Sequence, residues 1–458
     1  MVGVLTDDND LKSLEGTLVE GPKDVCTRRL DNTLSILLLN KPNKIIKVRL
    51  IKLLGEQRLP ILCHSHLCHK HYPPWVLRFN YCKDSIFFLF LQRNGFSKFI
   101  VMRYILITIA SLVLSLSSAV AQDVKNIIYL IGDGMGLASV SMMQLENRYA
   151  PTIFDQAENI ALQKTYSANN RITDSAASGT ALATGHKTNN TYLGTLPDET
   201  PVESIMELAK SQGMATGVVV TTYLQHATPA AFYAHIPNRH EYLTITEQLI
   251  GSSLDVAIGG GMAYFKELYG EGVAERLATE GFKMATSLDE VKQTKDSDRV
   301  IALLGNYEVN NNAGAYLGNA TQEALRILNN KSSNEGFVLM VEGSLIDGCG
   351  HGNNTEAQQV ELEGFMGAIE VAVEFAEQNP GTLVVVTADH ETGGLSLVSC
   401  DSDFCLSEQG VEYRWTTNGH SGTMIPIYLY GTGAERINGI MENAELGAKL
   451  KAIIDRGL

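Results

Sequence analysis

The sequence predicts an α/β fold: a doubly wound, mostly parallel central sheet with helices on both faces. Three observations predict it. Uninterrupted apolar runs of strand length recur along the chain, as they do in strands buried on both faces. Segments of helical apolar periodicity separate them, and that alternation implies parallel pairing through crossover helices. The runs end in glycines, carboxylates and histidines, and the carboxyl ends of strands are where open α/β sheets gather ligands.

The 458 residues are 45% hydrophobic and 19% charged, which allows a large core. Residues 1–101 carry 15 Lys and Arg against 9 Asp and Glu, so the whole-chain totals of 36 and 51 leave 21 against 42 for the remainder. An acidic body argues against nucleic acid as a partner and suits a protein that handles divalent cations. Cys26, Cys63, Cys68 and Cys82 lie upstream, and Cys349, Cys400 and Cys405 in the body, too few there for a disulfide scaffold.

Met102-Arg103 opens the apolar run 104–116, which ends Ser118-Ala119-Val120-Ala121. A basic start, a short apolar core and a final Ala-x-Ala describe a signal peptide over 102–121, cleaved after Ala121. Its internal position is explained if translation starts at Met102 and 1–101 is a spurious upstream extension; an uncleaved membrane anchor is the competing reading. After cleavage, residues 122–458 would form a periplasmic or secreted catalytic domain with no stable membrane association. The cluster from Cys63 to His71 has zinc-type ligands but lacks the second half that structural zinc sites use.

In the body, 126–131 reads as a buried strand that ends in Gly132-Asp133-Gly134-Met135-Gly136. Leu137 stands where a dinucleotide fingerprint needs its third glycine, so Asp133 is either a turn residue or a ligand. Next comes Thr173-Asp174-Ser175-Ala176-Ala177, followed by small residues to Gly185. A helix from Ala176 to Ala183 puts Ser175 at an N-terminus that favours anions, with nothing bulky to cover it. Asp174 and Ser175 also suit simple helix capping.

A surface helix is expected over 202–213 and a strand over 215–222. Thr228 precedes Pro229, which disfavours helix, so Thr228 belongs at that strand's exit, with Arg239 further on. A helix over 241–250 and a strand over 254–258 follow, and 263–335 are less informative, with an Asn/Gly-rich loop at 310–314. Strand 337–341 leads into Glu342, Asp347 and His351; a helix spans 355–378; strand 382–386 leads into Asp389 and His390. His420 precedes strand 425–430, and a helix closes the chain from 443 to 456. There is no internal repeat.

Carboxylates and three histidines at so many strand ends should converge on one face. Asp with His suits zinc, whereas Glu, Asp and a Thr hydroxyl suit magnesium. Two zinc ions roughly 4 Å apart can clamp the attacking and leaving oxygens of a displacement, with a serine beside them as nucleophile.

Gly132 to Gly136, Thr173 to Ala177, Val341-Glu342-Gly343, Thr387-Ala388-Asp389-His390 and Gly419-His420 together resemble the signature segments of the alkaline phosphatase family, in family order. The resemblance spans 122–458. It implies the alkaline phosphatase-like fold, two Zn²⁺ and one Mg²⁺, and Ser175 as a nucleophile that forms a phosphoserine at alkaline pH. It gives one zinc to Asp347, His351 and His420, the other to Asp133, Asp389 and His390 with Ser175, and magnesium to Asp133, Thr228 and Glu342. Arg239 would grip two phosphate oxygens, and Asp174 would orient Arg239 or the serine backbone. His226 stands near the phosphate and third metal where other members have Asp, and Gly348 where others have Lys, His or Trp.

The substrates implied are small phosphate monoesters, cleaved by a monomer or homodimer. A phosphodiesterase or sulfatase of the same superfamily, and a non-catalytic metal- or phosphate-binding protein, are the alternatives. His186, His235 and His240 read as structural or exposed, Glu391 as support for the His390 region, and Cys349 as a free thiol. Cys400 and Cys405 either pair or stay free.

Overall fold

The chain divides into two compact units, Met1–Ser118 and Ala119–Leu458. This computed structural model describes residues 123–455 except 296, 310–314, 333–334 and 400–409, together with the backbone of six short strands between Val2 and Leu89. Those six form an antiparallel four-stranded sheet and a separate two-stranded hairpin. The signal segment at 102–121, the Cys63 to His71 cluster, the loop at 310–314 and the pair Cys400 and Cys405 lie outside the described residues. Among the described residues no helix is long and apolar enough to cross a membrane.

The second unit is built on a ten-stranded sheet. In chain order its strands are β1 (Asn126–Gly132), β2 (Asn159–Lys164), β3 (Ala215–Tyr223), β4 (Val256–Gly260), β5 (Phe282–Ala285), β6 (Arg299–Leu303), β7 (Phe337–Gly343), β8 (Thr382–Thr387), β9 (Ile425–Gly431) and β10 (Gly439–Glu442). Across the sheet they run β5-β6-β4-β3-β7-β1-β8-β9-β2-β10. Only β9 is antiparallel to its neighbours, β8 and β2; the other pairings are parallel.

β1 shows why this sequence needs two covering layers. Its residues are all buried, and because side chains alternate across a strand, Ile127, Tyr129 and Ile131 enter one core while Ile128 and Leu130 enter the other. The first core is covered by α1 (Ser175–Thr184), by helices Ile205–Ser211 and Tyr242–Gly251, and by α5 (Asn443–Ile454). The second lies under helix Leu137–Glu146, α2 (Ala315–Lys331) and α4 (Thr355–Gln378), the last spanning the expected residues. The short α3 (Leu345–His351) follows β7.

Two local expectations are corrected. The helix expected from Val202 begins at Ile205, because Ser204 caps it: the Ser204 hydroxyl accepts from Glu207 N and Glu207 returns a bond to Ser204 N. Thr228 is helical, inside the single turn Ala227–Ala230. Pro229 occupies that first turn, where an intrahelical N–H bond is not yet required, so proline is tolerated and Thr228 is not forced out.

The small residues of α1 are used as a seat for α5. A Cβ on Gly447 would stand 2.4 Å from Ala181 O and 2.7 Å from Leu182 O, so the two helices touch through backbone. Gly447→Val is therefore expected to destabilise the fold by about 1–3 kcal/mol through overpacking. Urea unfolding measures it, and an unchanged midpoint with unchanged slope would contradict the packing described.

Candidate metal centre

β7, β1 and β8 are adjacent parallel strands, so their carboxyl ends deliver Glu342, Asp133 and Asp389 to one edge. All three side chains are fully buried. The turn after β1 is tight: Gly134 has φ +73°, and a Cβ there would lie 2.8 Å from Thr392 Oγ1 and 2.9 Å from Asp347 Cα. Its N–H donates to Asp389 Oδ1 at 3.1 Å, which also accepts from His390 N at 2.9 Å.

α1 brings Ser175 to this edge. Asp174 is its N-cap and accepts from Ala177 N at 3.0 Å. Ser178, one turn on, donates to Asp389 O at 2.6 Å and accepts from Asn443 Nδ2 at 2.9 Å, which fastens α1 to the end of β8 and to α5. Ser175 Oγ lies 3.2 Å from His390 Nε2, which is also 3.4 Å from Asp133 Oδ1 and 3.2 Å from Asp389 Oδ2. The sequence leads one to expect an uncovered serine; it is only 2% exposed, with the buried His390 ring against its hydroxyl.

A second group forms from α3 and the two-residue strand His420–Ser421 that precedes β9. His351 Nε2 is 3.2 Å from Asp347 Oδ2, and His420 Nε2 is 3.5 Å from Asp347 Oδ1. His351 Nδ1 donates to Asn418 O at 2.5 Å and His420 Nδ1 to Thr173 O at 2.8 Å. A carbonyl only accepts, so in each neutral ring the proton sits on Nδ1 and the Nε2 lone pair faces inward. The two Nε2 atoms are 3.2 Å apart, an arrangement that a shared cation satisfies. The His420 ring stacks on His390 with centroids 3.6 Å apart, which joins the two groups.

The third group is Asp133, Glu342 and His226, with ligand-type atoms within 4.8 Å of one another. Both oxygens of Asp133, both of Glu342, Asp389 Oδ2, Thr228 Oγ1 and His226 Nδ1 are buried without a hydrogen-bond partner. One such orphan costs about 1–3 kcal/mol, so the oxygens among them, gathered at one place, are accounted for by cations rather than by packing. The donor set fits metals: mixed oxygen and nitrogen around His351, His420 and His390, and mainly hard oxygen around Glu342.

Electrostatics describe the same need. Burial, with Asp389 and Asp347 nearby, holds the pKa of Asp133 well above the carboxylate range, and burial raises Glu342 to about 8. Burial opposes ionisation of Asp347, but His351, His390 and His420 outweigh it and lower its pKa. The Asp347 hydrogen bond raises His351 to about 9. Burial and the neighbouring Arg239 drop His226 to about 3, so its imidazole is neutral.

Arg239 reaches the edge from a loop and is held at both guanidinium ends. Nη1 donates to Asp174 Oδ2 at 3.2 Å, and Nη2 donates to His226 Nε2 at 3.4 Å. Thr191, at φ +77°, donates its N–H to the same Asp174 oxygen and accepts from Arg239 N through its carbonyl. Asp174 thus serves both the helix and the arginine.

Residues 124–404 match the family "Alkaline phosphatase". The chain belongs to the alkaline phosphatase family. It is 31% identical to the alkaline phosphatase of Escherichia coli, over 72% of this chain and 86% of that protein. It superposes on the alkaline phosphatase of the Antarctic bacterium TAB5 with a TM-score of 0.68 and 35% identity, covering 73% of this chain and 99% of that one. A variant of the TAB5 enzyme, with a histidine changed to aspartate, is described with Mg bound in its M3 site. Phosphatase activity and metal dependence follow at the level of the alkaline phosphatase family.

Every residue singled out from the sequence for this site lies in one neighbourhood. Sequence reasoning missed Thr392, whose hydroxyl donates to Asp347 Oδ1 and lies 3.2 Å from His390 Nδ1, and the carbonyls of Thr173 and Asn418. Carbonyl positions leave no trace in residue type. Glu391 supports a different element from the one expected: its carboxylate accepts from Leu395 N and the Ser421 hydroxyl, bracing the strand that carries His420. A Cβ at Gly348 would meet nothing within 4 Å. His235 is tied to Glu207 and Gly194 O, His186 to Thr184 O, and His240 is exposed. Cys349 is a half-buried free thiol.

Metal and proton compete here, with a definite sign. Glu342 near 8 and His351 near 9 bind protons more tightly in the metal-free folded chain than when unfolded. Their contribution to stability is present at low pH and fades as pH rises, for Glu342 from about 4.5 to 8 and for His351 from about 6.5 to 9. The chelated protein should therefore lose thermal stability between pH 5 and 9 more steeply than the metal-loaded protein, and Glu342→Gln should flatten its curve. Parallel curves for chelated and loaded protein would count against these ligands.

Proposed function

We propose that this protein hydrolyses phosphate monoesters of small molecules through a phosphoserine on Ser175, releasing inorganic phosphate fastest at alkaline pH. The observation that carries the reading is Ser175 Oγ at the N-terminus of α1, 3.2 Å from His390 Nε2 and beside carboxylate oxygens that have no other partner. Two zinc ions, one on Asp347, His351 and His420 and one on Asp133, Asp389, His390 and Ser175, with magnesium on Asp133, Thr228 and Glu342, would supply Lewis-acid stabilisation of oxygens that gain charge.

The protein's own groups do the rest. Ser175 gives its proton to solvent and Oγ attacks phosphorus as the bond to the alcohol oxygen breaks, the departing alkoxide taking a proton from solvent; water then attacks the phosphoserine, the Oγ–P bond breaks, and a proton of that water restores the Ser175 hydroxyl. Arg239, braced by Asp174 and by neutral His226, offers two parallel N–H donors to the phosphate oxygens that do not react. The α1 N-terminus favours the same dianion. Because His226 Nε2 accepts from Arg239, the proton of the neutral ring sits on Nδ1, so in this arrangement His226 brings an N–H rather than a lone pair beside Asp133 and Glu342, which bears on the third site's choice of metal.

A doubly ionised terminal phosphate rewards two guanidinium bonds, which favours monoesters over diesters and sulfates. In assays with p-nitrophenyl phosphate, its bis-ester and its sulfate, the monoester should dominate. Ser175→Ala should lower kcat by roughly 10³ or more, and Arg239→Ala should lower kcat/KM by roughly 10- to 100-fold. Equal activity in Ser175→Ala rejects the mechanism. The reading includes export to the periplasm or medium as a monomer or homodimer, with 102–121 as signal; N-terminal sequencing of the exported protein should begin near Gln122, and retention of residues 1–101 would refute that part.

A further inference from the structure

Four tyrosines form a ladder that begins beside Arg239 and ends in solvent. Tyr223, the last residue of β3, meets the His226 ring edge-on with centroids 5.2 Å apart. Tyr242 and Tyr264 pack on Tyr223 at 5.6 and 5.5 Å and on each other at 4.8 Å. Tyr264 and Tyr307 are 5.6 Å apart with ring planes at 78°, so the two rings meet as a corner. Tyr223 ends β3, and Tyr264 and Tyr307 follow the carboxyl ends of β4 and β6, the same sheet edge that carries Asp133 and Glu342.

The turn that carries Tyr307 is pinned from three sides. Gly305 O and Asn306 O accept from Met262 N and Ala263 N at 3.1 and 2.9 Å, and Val309 N donates to Thr221 O at 2.9 Å. At Gly260 no side chain fits, because the Tyr307 carbonyl oxygen would be 1.6 Å from its Cβ. Yet Tyr307 is 55% exposed. A ring held in water on a fixed turn gains little from burial, and one joined through Tyr264 and Tyr223 to His226 suits contact with a ligand.

We propose that this ladder binds the alcohol part of the substrate, and that the preferred monoesters carry a flat aromatic ring, aryl or nucleobase, stacked in the Tyr264–Tyr307 corner. The inference rests on the monoesterase reading. With phosphate held by Arg239 at the inner end, the leaving group of a substrate directed along the ladder runs past His226 and Tyr223 toward Tyr307. Stacking of a base on an aromatic side chain is worth roughly 5-fold or more in affinity.

The test compares kcat/KM of the metal-loaded protein for adenosine 5′-monophosphate, phenyl phosphate and β-glycerophosphate, in wild type, Tyr307→Ala and Tyr307→Phe. Because Tyr307 is exposed, removing its ring leaves the core in place. The ratio of the aromatic substrates to glycerophosphate should fall roughly 5-fold or more in Tyr307→Ala and return in Tyr307→Phe. A fall for both aromatic substrates identifies aryl recognition, and a fall for the nucleotide alone identifies the base. An unchanged ratio overturns the proposal. Dissociation constants for the nucleotide and for glycerophosphate in a Ser175→Ala background separate the two readings. Ring-dependent binding without turnover in the parent protein rejects only the monoesterase reading, whereas binding that ignores Tyr307 rejects the ladder.

Discussion

Repulsion among buried carboxylates is the constraint on which this structure turns. Asp133, Glu342 and Asp389 stand close together fully buried, with Asp347 half-buried beside them, and most of the oxygens of the buried three find no hydrogen-bond donor. Two like charges 4 Å apart repel by about 4 kcal/mol at the effective dielectric of a protein site. The fold therefore spends much of its stability in holding these groups together, and it recovers that energy when positive charge enters. Protons do this at low pH, and Glu342 titrates late because burial, with Asp389 adding to it, disfavours its charge; divalent ions do it better, since each faces several ligands at once.

The scaffold that resists this repulsion is simple. Three neighbouring parallel strands leave their ends side by side, and parallel register makes their last residues coincide. Positions lacking side chains then let backbone come close, as at Gly134 against Asp347 and Thr392. Imidazoles are aimed by what their far nitrogens touch: His351 and His420 each spend a proton on a carbonyl and turn the other nitrogen inward. The stacked rings of His390 and His420 mean that one half of the centre cannot shift without disturbing the other.

Much of this was legible in the residues. β1, β7 and β8 stand out because strands buried on both faces must be apolar throughout, and their terminal carboxylates are conspicuous after such runs. The span of α4 follows from its apolar spacing. The direction of β9 did not follow, since composition carries no sign of strand polarity, and its neighbour in space is set by the connection through 388–424. Thr228 was misjudged because a rule about proline was applied without the turn that satisfies it. The region 263–335 was weak since its strands lie near the sheet's far edge and are short. The tyrosine ladder was invisible: its members are scattered over more than eighty positions and meet only through the order of β3, β4 and β6.

The fastening of Ser178 to both Asp389 O and Asn443 Nδ2 has a consequence for biosynthesis. The nucleophile helix is made early and its brace, α5, is the last helix among the described residues. A ribosome that has finished Ser175 and even His420 has still not supplied the partner that seats α1, nor the glycine surface at 447 that receives it. Assembly of the reactive corner thus waits until α5 has been made, and a nascent fragment that stops short of it carries the chemistry's ingredients without its geometry.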